Sequence, residues 1–198
     1  MGRLYYVIGK SSAGKDSVFR RLLNTKSLHL KPLVLYTTRP MRDGERQGVE
    51  YHFTDEAGLE ALQAEGRVIE LRVYDTVQGM WKYFTADTEA TDLDHADYLG
   101  VGVLTSYEAL KDYYGEDKVV PIYIEVEDGE RLRRALERER AQTQPQYAEM
   151  CRRFLADSSD FSEEALSKAG IERRFENTDL GECVREVGGF IADLQKLC

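Results

Sequence analysis

The chain has 198 residues, 42% hydrophobic and 32% charged, the balance of an ordinary folded domain, which excludes a disordered polymer or a fibre. Its formal charge of −9 argues against a general nucleic-acid binder, which needs a basic surface, but is compatible with a small anionic substrate held by a few local cations. No apolar run reaches the ~18–20 residues that a membrane-spanning helix requires, the first residues lack a signal-peptide pattern, and three well-separated cysteines, Cys151, Cys183 and Cys198, indicate free thiols and a cytoplasmic location.

Residues 3–8 predict a short buried strand and residues 15–26 a helix, with Val18, Phe19, Leu22 and Leu23 at helical spacing. Residues 33–37 read as a second strand and 38–48 as a polar, arginine-rich loop of the kind that carries function. A strand at 51–53, a helix at 55–65 with an acidic first turn, and strands at 67–74 and 82–86 follow, a run able to form its own lobe. Residues 98–104 and 119–126 look like buried strands of the main sheet, with Pro121 fitting near the start of the second. Helices are expected at 106–113, 130–140, 146–157 and 180–197, with a break at 142–145. The recurring order of strand, helix and strand predicts an α/β fold, one parallel sheet flanked by helices and carrying two excursions.

Gly9-Lys10-Ser11-Ser12-Ala13-Gly14-Lys15 matches GxxxxGK between a predicted strand and a predicted helix, the setting of a phosphate-binding P-loop. Backbone N–H groups of such a loop point at an anion, and Lys15 adds a positive charge for the outer phosphates. The Ser or Thr that usually follows the lysine is replaced by Asp16, with Ser17 next. Nucleotide phosphates are therefore expected on residues 9–17, those of ATP once the resemblance below is taken into account.

Residues 36–53 contain Thr37-Thr38-Arg39, Arg42, Gly44-Glu45, Gly48, Tyr51 and Phe53 in the pattern TTRxxRxGExxGxxYxF. This resembles the substrate-binding signature of guanylate kinases. Arg39 and Arg42 each offer a planar fork suited to phosphate oxygens, and a tyrosine hydroxyl can donate one more hydrogen bond. The resemblance implies a P-loop NTPase fold in a single domain: a core at 1–35, 96–137 and 170–198, an acceptor-binding lobe at 36–95 and a helical lid at 138–169. It implies phosphoryl transfer from ATP to GMP. Arg39, Arg42, Tyr51 and Tyr83 would grip the acceptor phosphate, with Glu45 and Thr85 in the same GMP-binding set. Glu70 would read the paired N1–H and amino donors of guanine, which one carboxylate can accept together. Arg138, Arg140 and Arg153 are the lid cations implied, with Arg138 and Arg153 catalytic alongside Lys15 and Arg39. Asn177 would border the adenine. Mg2+ is the implied cofactor, with Ser17 as its protein ligand.

The chain departs from the family pattern at two places, which makes it a divergent member. Gly100 and Gly102 stand where an acidic pair usually serves the acceptor and the metal, and Leu35 and Tyr36 stand where a serine usually reads the guanine oxygen. Two alternatives follow. Ribose 1,5-bisphosphate phosphokinases share the fold and often carry a loop like Lys15-Asp16-Ser17, so the acceptor could be a sugar phosphate. A guanylate-kinase-like module that binds protein partners without catalysis is the other. The sequence leaves monomer and homodimer open.

Overall fold

The computed structural model describes residues 2–76, 79–88 and 91–197. Its first strand, β1 (Leu4–Ile8), is buried along its whole length, so its side chains divide between two apolar layers. Leu4, Tyr6 and Ile8 enter one layer and Tyr5 and Val7 the other, the two-residue period of a strand covered on both faces.

The sheet that holds β1 also contains β2 (Lys31–Pro32), β7 (Tyr98–Val101), β8 (Val119–Glu125) and β9 (Arg174–Glu176). They form a parallel sheet in the order β2-β7-β1-β8-β9. Helices α1 (Lys15–Leu23) and α7 (Leu180–Lys196) pack Val18, Leu22, Val187 and Ile191 on one face. On the other lie α3 (Leu104–Tyr114) and α6 (Glu163–Lys168), with Tyr107, Leu110 and Leu166. Each such buried side chain contributes roughly 1.5–3 kcal/mol of transfer free energy. The fold is thus α/β with a parallel sheet flanked by helices, as the sequence predicts.

A second sheet holds β3 (Tyr36–Thr37), β4 (His52–Phe53), β5 (Val68–Thr76) and β6 (Gly79–Ala86) in the order β4-β3-β6-β5. Here β6 runs antiparallel to both β3 and β5. Helix α2 (Glu56–Ala64) starts at Asp55, whose carboxylate accepts the Gly58 N–H at 2.8 Å, and lays Leu59 against Phe84 and Ala86. Past the main sheet, α4 (Asp128–Arg140) and α5 (Tyr147–Asp160) flank the expected break at 142–145.

Three expectations are corrected. The strand expected at 33–37 is reduced to Tyr36–Thr37, because β2 ends at Pro32 and residues 33–35 cross from one sheet to the other: the Leu33 N–H still bonds Leu99 O at 2.8 Å, while Leu35 O already accepts from His52 in the second sheet. The strand expected through 104 ends at Val101, and Leu104 opens α3; the unbroken apolar run Val101 to Leu104 hides that boundary. The first helix ends at Leu23 rather than 26, where the Asn24 side chain turns back onto Arg20 O at 2.9 Å. The sequence reading also left α6 and β9 unassigned. Pro121 is the third residue of β8, at a point where β9 has not yet begun: pairing with β9 starts at Tyr123, so no ladder bond is lost on that side.

Among the described residues no helix is long and apolar enough to cross a membrane. Cys151 is exposed and Cys183 buried, both free, and Cys198 lies outside the described residues.

Candidate functional site

The loop between β1 and α1 is shaped by close approach. A Cβ on Gly9 would lie 2.5 Å from the Ile124 carbonyl oxygen, and Gly14 takes φ 87° with the Asn177 amide 2.4 Å from where its Cβ would be. Helix α1 starts without a side-chain cap, as α3 and α5 do; the Ser17 N–H turns in to Gly14 O at 3.0 Å, which leaves the Lys15 and Asp16 N–H groups as the donors an anion could use. Among the described residues no carboxylate pairs with Lys15, a free cation in a chain of charge −9. Ser12 holds a left-handed φ of 62°, and its buried hydroxyl has no partner.

Four groups brace the loop from behind. The Asn177 side-chain N–H donates to Ala13 O at 2.7 Å, and Arg134 donates to Asn177 O at 2.9 Å. Arg131, fully buried, donates Nε to Ser11 O at 3.0 Å and Nη2 to Asp157 at 2.7 Å. Asp157 in turn accepts the Ser11 N–H at 2.8 Å. The guanidinium of Arg131 also lies over the Phe154 ring, 4.8 Å from its centroid. Asn177, expected at the adenine, is therefore placed inside the phosphate loop's own hydrogen-bond frame. A cavity of about 580 Å³ opens beside the loop at the carboxyl end of β8, between Lys10, Glu125, Asp128 and Arg131.

The arginine loop forms a second cationic centre. Arg39 is only 3% exposed, and its guanidinium meets Glu45 through both terminal nitrogens, one at 2.7 Å. It lies 5.2 Å from the Tyr51 ring centroid and 5.3 Å from that of Phe53. Tyr83, edge-on to Tyr51 at 5.5 Å, borders the same guanidinium. Arg39 first, and the Arg42 backbone N–H second, hold the Glu45 carboxyl down to about 2. Arg42 has no carboxylate on its guanidinium among the described residues and rests over Trp81, 5.7 Å from the ring centroid. Arg39, Arg42, Glu45, Tyr51 and Tyr83 are thus brought together.

Glu70 and Thr85 meet as well, opposite each other in the β5–β6 ladder, with the Thr85 hydroxyl donating to Glu70 at 2.9 Å. Arg72 adds a fork, 3.0 Å and 3.3 Å to the two Glu70 oxygens, and the Ser106 hydroxyl donates at 3.3 Å from α3. Next to this cluster, Tyr6 fills the space in front of Gly100 and Gly102: a Cβ on Gly102 would lie 2.2 Å from the Tyr6 hydroxyl, and one on Gly100 2.5 Å from the ring. The two glycines are what make room for the tyrosine. Burial pushes the Tyr6 phenol far above its usual range, so it stays neutral where the family carries charge.

Arg138, Arg140 and Arg153, the cations expected in a lid, have no contact with either centre among the described residues. Arg138 and Arg140 are exposed at the end of α4, and Arg153 is exposed on α5 with Nε 2.7 Å from Glu149. Arg131 and Arg134, on the same helix as Arg138 and Arg140, are the ones that reach the phosphate loop. The signal was available: in α4, Arg131 shares the inward face of Ala135 at i+4. Tyr6, Arg72, Ser106 and Asp157 were also missed, and only Tyr6, a polar side chain in an otherwise apolar buried strand, carried a hint.

Residues 1–97 match the guanylate kinase family model. Over that stretch, just under half of its length, the chain is similar to guanylate kinases. A guanylate kinase from Chromohalobacter salexigens is 44% identical over 79 residues, 39% of this chain and 36% of that protein. One from Nitrosomonas europaea is 36% identical over 95 residues, covering 48% of this chain and 47% of that protein. The matched stretches thus span between a third and a half of these relatives' length. The crystal structure of guanylate kinase from Anaplasma phagocytophilum superposes with a TM-score of 0.66 over 98% of this chain and 86% of that one, at 19% identity, a likeness of fold. The family-model match ends at residue 97, just before β7 opens at Tyr98.

Proposed function

We propose that this chain transfers the terminal phosphoryl group of ATP to the phosphate of a small acceptor, with GMP the first candidate. The observation that carries the reading is the unpaired Lys15 at the uncapped start of α1: an acidic chain keeps a lysine clear of carboxylates, beside the Lys15 and Asp16 N–H groups, where a polyphosphate can use both. ATP lies along residues 9–17, with Asn177 holding the loop in shape.

The acceptor phosphate sits at Arg42, Tyr51 and Tyr83, and draws Arg39 away from Glu45. The acceptor already carries an oxygen nucleophile, so no covalent enzyme intermediate is required. Catalysis comes from alignment and from cations around the group in transit. Lys15 and Arg39 supply that charge from the core and the acceptor lobe, residues 36–95. Arg138, Arg140 and Arg153 arrive when the lid, residues 138–169, closes over the donor, which requires Arg153 to leave Glu149.

No cluster of three or more acidic, histidine or cysteine side chains gathers among the described residues. Mg2+ would keep several waters and bind mainly through substrate phosphates. Ser17, in the first turn of α1, is the residue that would hold it, and it would neutralise phosphate charge there.

A second acceptor class, a sugar phosphate, is favoured by one observation: all of the hydrogen-bonding capacity of Glu70 is taken by Arg72, Thr85 and Ser106. A coupled assay of ADP release across nucleoside monophosphates and ribose 1,5-bisphosphate decides between them. Stimulation by GMP supports the first reading. Stimulation by the sugar phosphate alone replaces GMP, and stimulation by no acceptor removes the kinase proposal in favour of a binding module.

A further inference from the structure

Glu70 is 8% exposed and accepts four hydrogen bonds within the protein: Arg72 and Thr85 on Oε1, Arg72 and Ser106 on Oε2. Two carboxylate oxygens offer about four lone-pair sites, so the group is saturated. Arg72 is two residues on from Glu70 in β5, which puts both side chains on one face of the strand, toward α3 and Tyr6. A β-bulge between Val68 and Glu70 sets that register, since without it Glu70 and Arg72 would turn to the other face. Behind them is the neutral Tyr6 rather than a carboxylate, so Arg72 has Glu70 as its charge partner.

We propose that Arg72 is a positioning residue for acceptor choice: its guanidinium competes with the paired N–H donors of a purine for the two oxygens of Glu70, and so suppresses discrimination for guanine. The inference rests on the acceptor site proposed above, and concerns its base end only. The fork of Arg72 and the donor pair of guanine want the same two oxygens at the same spacing. An acceptor that places no donor pair there, such as a sugar phosphate or a base with one N–H, leaves the Arg72–Glu70 pair undisturbed and loses nothing by it. Guanine must break it, and then leave Arg72 partly buried without its partner.

The test is calorimetric binding of GMP and IMP to the full chain with Arg72→Met, Arg72→Lys and Arg72→Met/Glu70→Gln. IMP keeps N1–H but lacks the amino group, so the GMP to IMP ratio reports whether both Glu70 oxygens are in use. The expected result is GMP binding tightened by roughly tenfold in Arg72→Met, with the GMP to IMP ratio rising by a similar factor, as charge-assisted hydrogen bonds become available to the base. Arg72→Lys, which makes one point contact in place of a fork, falls between wild type and Arg72→Met, and serves alone if the methionine variant does not fold. Adding Glu70→Gln abolishes the gain. KM for GMP falls while kcat and KM for ATP do not move. A folded Arg72 variant with unchanged or weaker GMP binding, or an unchanged GMP to IMP ratio, overturns the proposal. Gain of GMP binding without any ATP-dependent turnover removes the kinase reading and leaves the competition standing; turnover with unmoved affinity does the reverse.

Discussion

Asp157, on the helix that follows the break at 142–145, accepts the backbone N–H of Ser11 at 2.8 Å, tying α5 directly to the third residue of the phosphate loop. The same carboxylate neutralises Arg131, which is fully buried and holds Ser11 O from the other side. A single ion pair therefore fixes both the backbone donor and the backbone acceptor of one loop residue. Asp157→Ala leaves the buried guanidinium with Asp128 as its remaining carboxylate and the Ser11 N–H without its acceptor, and is expected to cost about 3 kcal/mol in urea unfolding, near the low end for a broken buried pair. Asp157→Asn keeps an acceptor for Ser11 and loses less. Both raise KM for ATP. A loss below ~1 kcal/mol for the alanine variant, the range of an exposed pair, contradicts this role.

Tyr6 and Gly102 are a matched pair of large and small. Gly102→Ala sets a methyl group 2.2 Å from the Tyr6 hydroxyl, with no polar group able to yield the space. The expected destabilisation is roughly 1–3 kcal/mol, the usual cost of overpacking. Tyr6→Phe removes a buried hydroxyl that makes no complete hydrogen bond, and on its own is close to neutral. Combined, the two substitutions cost less than their sum, and thermal unfolding of the four proteins measures that coupling. Strict additivity would mean that the tyrosine and the glycine do not depend on each other.

The Glu45 carboxyl is held down to about 2 in the folded chain against a usual 4.5, by Arg39 and the Arg42 N–H. A depressed folded value stabilises above the unfolded pKa, and that stability drains as pH falls from about 4.5 toward 2. The difference in stability between wild type and Glu45→Gln is thus constant from pH 7 to about 5 and shrinks below it. Unfolding titrations at stepped pH check the sign: a difference that grows on acidification runs against the assignment.

The sheet and both anion centres were legible because each leaves a local trace. The alternation in residues 3–8, the GxxxxGK spacing and the paired arginines at 39 and 42 are contained within single elements. What the sequence hid lies between elements. The crossing from β2 to β3 occurs inside one apolar run, and α6 and β9 are too short for a period to register. Arg72 looks like any charged residue on a strand until the bulge aims it at Glu70, and Gly100 with Gly102 read as lost function until Tyr6 is seen in the space they leave. Arg131 and Arg134 were lost among neighbours of the same type, since only tertiary contact separates an inward arginine from an outward one.

The central claim is that two separate cationic centres serve one phosphoryl transfer. Initial rates of acceptor-stimulated ADP release, measured for wild type, Lys15→Met and Arg39→Met with unfolding curves taken in parallel, test it most directly. Both variants are expected to stay folded and to lose roughly a hundredfold or more in rate, the scale of removing one preorganised charge from a transition state. Folded variants that release ADP as fast as wild type, or a wild-type chain whose ADP release no phosphate acceptor stimulates, would contradict it.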